Sequence, residues 1–223
     1  MITNNLPFSP TTVVMDFERA AQNAIRSVCH GITIKGCFFH YTQCIWRIAQ
    51  MTGLQIPYRD NEDIGKMVRR AAALLLVPEH QVEDAWFHCL QDLDDTDLPV
   101  DTTPFTDYII AQWIERDHTV WNHFNTEGPR TTNHIEAWHG KVKKKVQHLH
   151  PNIYTIIQAF KDIQASSEIH RLQLQAGGTQ RPKPRKNRNI DSRLRLLKQR
   201  FTSNHIDLMT YKDLQASELL HLG

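Results

Sequence analysis

The apolar positions at the start of the chain switch period within a few residues. Val13, Val14 and Met15 form a continuous apolar run of the kind that makes a buried strand, whereas Phe17, Ala20, Ala21, Ala24 and Ile25 follow helical spacing. A second β-like run opens at Gly31, with Ile32 and Ile34 alternating with Thr33 and Lys35. It passes directly into FFHYTQCIWRIAQMTG, which reads as a helix ended by Gly53. Residues 1–53 thus spell strand–helix–strand–helix, an α/β grammar.

Beyond Gly53 the β signals stop. Ile64, Met67, Val68, Ala71 and Leu75 share one helical face that Pro78 ends, and Val82, Ala85, Trp86, Cys89, Leu90 and Leu93 repeat the pattern. After the acidic loop QDLDDTDLPVDTTP, Phe105, Tyr108, Ile109 and Trp113 mark another helix, although Gln112 falls on the same face. NTEGPRTTN is turn-rich and precedes a helix from about His134 to Gln147. A long helix follows, with Ile153, Ile156, Ile157, Phe160 and Ile163 on its expected buried face, ending at AGG. The first part of TQRPKPRKNRNIDSRLRLLKQR is rich in Pro, Lys and Arg without an apolar stripe, and reads as a flexible linker. The last 30 or so residues return to helical spacing through Leu194, Leu197 and Phe201, then Leu214 to Leu220. Two short strands are marginal in water on their own, so the sheet is expected either to be completed by a partner or to lack its first strands.

Composition narrows the class. At 223 residues, 40% hydrophobic and 22% charged, the chain can hold one substantial domain or one domain with a large insertion. No run approaches the roughly 18 apolar residues that cross a bilayer. MITNNLPFSP has neither the basic start nor the apolar stretch of a signal peptide, so no membrane partner is expected. Cys29, Cys37, Cys44 and Cys89 are too few for a disulfide scaffold, and a reducing compartment is the expectation. The net charge of +2 hides an asymmetry. Residues 1–130 carry 10 Lys and Arg against 17 Asp and Glu, whereas residues 131–223 carry 16 against 7. Between residues 181 and 200 there are nine basic residues and one acidic. A basic half of this kind suits a polyanionic partner, although a solvated basic face has the same composition.

Three spots could carry chemistry: Asp16, the pair Cys37 and His40, and the stretch RTTNHIEAWHGKVKKK around Glu136. Each has a plain structural reading. Asp16 stands where a helix N-cap is needed, and Glu136 lies three residues after Asn133, as in a capping box. A cysteine at a strand end is commonly a small buried hydrophobe, and a histidine near an aromatic pair is commonly core or surface.

Read in order, however, VVMDFERAAQNAI, IKGCFFHYTQCIWRIAQMTGL, VRRAAALLLVP, WIERDHTVWNHF and RTTNHIEAWHGKVKK resemble successive blocks of Mutator-like (MULE) transposase domains over most of residues 10–175. The ordered set DFE-x-A, GC-x-FH-x-x-Q and TNH-x-E-x-W carries the resemblance. It implies a ribonuclease H-like core with a helical insertion before its last acidic residue. In such cores Asp, Asp and Glu hold two divalent metals about 4 Å apart, which activate the attacking oxygen and stabilise the leaving one. Carried over, Asp16 is the second carboxylate and Glu136 the third, both metal ligands, with Mg²⁺ or Mn²⁺ as the implied cofactor. Their separation of 120 positions suits the helical insertion.

Cys37 and His40 match the family's Cys-x-x-His pair, which the resemblance places beside the metal ligands or against DNA. His139, three residues after Glu136 on one helix face, is implied there too. A structural zinc held by Cys37, His40, His134 and His139 is the alternative. Lys141, Lys143, Lys144 and Lys145 would meet phosphates, as would Arg181, Lys183, Arg185, Lys186 and Arg188. The first carboxylate has no counterpart, because none of the fifteen residues before Asp16 is Asp or Glu.

The expected architecture is therefore mostly helical: an incomplete ribonuclease H-like core of few strands at 1–53, a helical insertion at 54–130, core helices at 131–176, and a basic linker with a helical tail at 177–223. The expected function is that of a C-terminal portion of a transposase. Its ancestry is metal-dependent DNA cleavage and strand transfer, inactive as this chain alone, in the nucleus, with DNA as partner and a homo-oligomer for an intact enzyme. The alternatives are a non-catalytic nucleic-acid-binding protein of the same ancestry and a helical interaction module.

Overall fold

The computed structural model describes residues 9–94, 96–148, 150–179 and 185–219. Their strands are β1 (Thr12–Met15) and β2 (Thr33–Gly36), which pair in parallel with Val13 opposite Ile34 and Met15 opposite Gly36. The rest is helical: α1 (Arg19–Val28), α2 (Phe38–Met51), α3 (Pro57–Asp60), α4 (Glu62–Ala73), α5 (Val82–Asp94), α6 (Thr103–Ile109), α7 (His118–Trp121), α8 (Asn133–Val146), α9 (Ile153–Gln175), α10 (Arg185–Thr202) and α11 (Leu208–Leu219). The mostly helical expectation and its strand–helix–strand–helix opening are therefore observed.

Local chemistry accounts for the boundaries. Gly53, at φ +79°, supplies the left-handed turn after α2 that a side chain would resist. Asn61 caps α4, its side-chain oxygen accepting from the Asp63 and Ile64 N–H groups at 3.0 Å each. Ahead of Pro78 the chain tightens into a 3₁₀ turn at Leu74–Leu76. After α6, Ile110–Ile114 forms a wide π turn. The extra residue in that turn shifts the helical phase, which is why Gln112 falls on the apolar face when a regular helix is extrapolated.

The chain divides into two units, one taking residues up to Thr131 together with those from Ile190 onward, the other residues 132–189. In the first unit α2 packs on α4, with Tyr41, Ile45, Ile64 and Val68 buried in one core, and the Tyr41 hydroxyl donates to the Ala71 carbonyl at 2.9 Å. Tyr41 also stacks on Trp121 and meets Trp113 edge-on. α11 lies against α4 through a buried guanidinium: Arg70 donates to both carboxylate oxygens of Asp213 (2.6 and 2.9 Å) and to Asp92 (2.6 Å). The expected division at residue 177 is not where the structure divides. From Ile190 the tail joins the first unit, because Leu194, Ala216 and Leu219 share its core. The linker reading is corrected as well: helix α10 already begins at Arg185, while residues 180–184 lie outside the described residues.

In the second unit α8 and α9 pack on each other. Trp138 stacks on Phe160, Val146 and Ala159 are buried, and Lys145 lies 3.5 Å from Asp162. The stripe expected to be buried along α9 is largely exposed instead, at 60% for Ile153, 43% for Ile157 and 45% for Phe160. A two-helix pair has one seam, which on α9 takes in the buried Ala159 and one face of the Phe160 ring and leaves Ile153 and Ile157 exposed.

Two stability experiments follow. A Cβ on Gly36 would lie 2.2 Å from the Phe17 ring, so Gly36→Ala is expected to cost about 1–3 kcal/mol in urea denaturation, with recovery when Phe17→Leu is added. Asp213→Ala strips two acceptors from a guanidinium only 11% exposed and should cost about 1–3 kcal/mol. Asp162→Ala, which breaks an exposed pair, should cost under about 1 kcal/mol in the same measurement.

Candidate functional site

β1 ends at Met15, whose carbonyl accepts from the Cys37 N–H at 2.7 Å, so the ends of the two strands are stitched together just before Asp16. Phe17 then turns inward. Its ring lies against Gly36 and meets Trp113 edge-on at 5.1 Å. The buried Gln22 amide donates to the Asp16 carbonyl at 3.1 Å, which fixes the backbone between strand and helix. These contacts leave the Asp16 carboxylate pointing outward, 59% exposed, with Oδ1 2.8 Å from Nδ1 of His40 in the first turn of α2. Nδ1 is screened from water and makes no aligned hydrogen bond, so the contact is electrostatic.

The cap reading of Asp16 is corrected. Helix α1 starts two residues later than a cap at Asp16 requires; Glu18 holds the N-cap position and makes no side-chain cap bond. Cys37, at the N-cap of α2, is fully buried and matches the small-hydrophobe reading, while His40 reaches the surface. Cys37, His40 and Asp16 are thus gathered at one corner of the first unit, where two parallel strands give way to their helices.

Glu136 and His139 lie on α8 in the second unit, both exposed, with the expected i, i+3 spacing. The capping box is corrected. Thr132 occupies the N-cap, so Asn133 is the first helical residue and Glu136 falls one position too late to reach back. Lys141, Lys143, Lys144 and Lys145 are all exposed, but they do not form one face. Lys141, Lys144 and Lys145 share one side at i, i+3 and i+4, whereas Lys143 lies with Glu136 at i, i+7. The last three also sit in the final turn of α8, where cations offset the helix dipole. Arg185 and Arg188 are exposed on α10, and Lys186 is on the same helix. Arg181 and Lys183 lie outside the described residues.

Mg²⁺ and Mn²⁺ take several oxygen ligands, and two such ions need several carboxylates. The first unit brings one carboxylate, Asp16, beside an imidazole, which does not fit such a pair of ions. Among the described residues no three His, Cys, Asp or Glu side chains gather as a metal site.

The residue that sequence reasoning missed is His123. It is buried, and its Nε2–H donates to the Gly36 carbonyl at 2.7 Å, which leaves Nδ1 to accept from Thr126 Oγ1 at 3.0 Å. Beside it, Lys35 Nζ donates to the Thr119 and Asn122 carbonyls at 2.6 and 3.0 Å. The block WNHF therefore holds the edge of β2 that β1 leaves open, and through it the start of α2. Nothing in the local pattern around His123 reveals this, because its partner is 87 positions away.

Burial pushes the His123 imidazole down to about 4 from the ordinary 6.5, so the folded state holds it neutral. The unfolded chain binds the proton first. His123 thus contributes full stability above about 6.5, and that contribution is lost as the pH falls from there to about 4. The denaturation midpoint of the wild type should fall across that window more steeply than that of His123→Gln; parallel curves would show that His123 does not titrate between the two states. No family model, no curated protein and no solved structure matches this chain.

Proposed function

We propose that the chain binds duplex DNA and descends from a Mutator-like transposase, with Asp16 and Glu136 standing in the positions of two of that family's carboxylates. The observation that carries the binding reading is the set of exposed lysines on α8. Lys145 pairs with Asp162, whereas Lys141, Lys143 and Lys144 pair with no carboxylate among the described residues. Cations left to solvent on a rigid helix attract condensed polyanions, and each phosphate they neutralise releases counterions, so affinity falls steeply with salt. The charge excess of residues 131–223 supports the same partner.

One observation favours metal-dependent strand cleavage as a second reading. The Asp16 carboxylate is exposed at the C-terminal end of a parallel strand, the edge at which open α/β sheets place their ligands. The residues gathered around it do not fit two ions, and no cleavage step is derived from them.

The test is fluorescence anisotropy of a labelled mixed-sequence duplex across a salt series. Lys141→Ala with Lys144→Ala should weaken binding and lower the log–log salt slope by about 2. Asp16→Asn and Glu136→Gln should leave affinity unchanged. Salt-independent or undetectable binding by the wild type sinks the proposal. Mg²⁺-dependent nicking that disappears in Asp16→Asn would put the second reading in its place.

A further inference from the structure

The second unit carries more positive charge than its own acids can answer. Residues 132–189 hold eleven Lys and Arg against three acids. Asp162 faces Lys145, and Glu168 is held by Arg171. Glu136 lies two residues before Trp138, which puts the two on opposite sides of α8. The side of α8 that bears Trp138 also carries Lys141 at i+3 and Lys145 at i+7. On that basic side stands an aromatic pair. Trp138 and Phe160 stack with ring centroids 5.8 Å apart and planes 24° from parallel, yet they remain 41% and 45% exposed. Trp86, Trp113 and Trp121, by contrast, are buried in the first unit.

We infer that Trp138 and Phe160 form a stacking platform for unpaired bases of DNA, with Lys141 on the adjoining phosphate. The inference rests on the DNA reading above and extends it from the duplex backbone to a single strand received on the same helix.

The stack uses one face of each ring and leaves large aromatic surface in water. Bases inside a duplex have both faces covered by their neighbours, so only an unpaired base can offer a face to a protein ring. Such stacking tolerates any sequence, because every base has a π-face. It is also insensitive to salt, whereas the lysines act on phosphates and are screened. Lys141 is one turn from Trp138, with Cβ atoms about 5–6 Å apart, so one nucleotide can meet the ring through its base and the ammonium group through its phosphate. A protein partner with an apolar face would fit the rings but not the basic flank, unless it were strongly acidic. An unpaired nucleotide supplies both the apolar face and the negative charge.

The experiment uses the full chain, the same labelled duplex and one of its strands alone. Trp138→Leu should weaken single-strand binding about tenfold or more, leaving its salt slope and the duplex affinity unchanged. Trp138→Phe keeps a ring and should recover most of that loss, with the far-ultraviolet melt of each variant confirming the fold. Tryptophan emission of the wild type should be quenched by the single strand, and that quenching should disappear in Trp138→Phe. If Trp138→Leu binds the single strand like the wild type while the α8 double variant is impaired, the platform is overturned and the DNA reading stands. An equal loss on both strand forms shows that the rings only hold α8 to α9, and overturns the platform. A dimer in sedimentation equilibrium that Trp138→Leu dissociates assigns the rings to a protein interface, with the same consequence. A wild type that binds the single strand but not the duplex keeps the platform and sinks the duplex reading; one that binds neither sinks both.

Discussion

A parallel pair of four-residue strands buries too little to persist in water, so everything at the Asp16 corner depends on what holds the outer edge of β2. That edge is held by residues 119–123. Lys35 reaches two of their carbonyls and His123 grips the Gly36 carbonyl. The same segment is tied inward, with the His123 N–H on the Leu75 carbonyl at 2.6 Å and the Asn122 side chain on the Val77 carbonyl at 2.7 Å. The strand edge is thereby sewn to the 3₁₀ turn after α4. Loosening it would free Gly36, then Phe17, then the stitch between Met15 and Cys37. The neutral imidazole is central because a buried ring held by two hydrogen bonds tolerates no added charge.

The C-terminal helix poses the opposite electrostatic problem, that of keeping charges inside. Arg70 succeeds because it is forked on Asp213 and held by Asp92 as well. Lys212, fully buried one residue earlier, has among the described residues the Ala85 carbonyl and the Met209 sulfur within reach of its ammonium group, and burial pushes its pKa down. Neither arrangement need add net stability relative to apolar residues of the same shape. What they fix is register. A fork that fits one carboxylate admits one placement of α11 on α4, whereas apolar contacts alone would admit several. The tail therefore belongs to the first unit despite the basic stretch that leads into it.

These contrasts explain what the sequence could and could not disclose. Helix α2 was legible because period, strand end and left-handed glycine all agree on it. The stripe of α9 was legible as a stripe but not as exposed, since periodicity shows that a helix has an apolar face and is silent on what covers it. The beginning of α10 was missed because the Pro-rich run just ahead of it masks a helix whose first buried leucine comes only at Leu194. His123 was invisible for a different reason. Its role is defined by a partner on β2, and no local pattern encodes a contact across such a distance. Around Asp16 the sequence brought forward the right side chains, Cys37 and His40, but assigned the cap to the wrong position.

That misassignment sharpens the question of why position 16 holds an aspartate at all. The fold requires its backbone, since the Gln22 amide needs the carbonyl, and it requires Phe17 and Gly36 on either side. It asks nothing of the carboxylate. The side chain caps no helix, and its contact with the screened Nδ1 of His40 is not an aligned hydrogen bond. Asparagine or serine would serve the local structure as well. The carboxylate at the end of β1 instead faces solvent, 59% exposed, where a phosphate brought close to it would be repelled. The binding reading leaves this carboxylate unused, whereas the cleavage reading needs it, and the corner where it meets His40 is the point at which the two diverge.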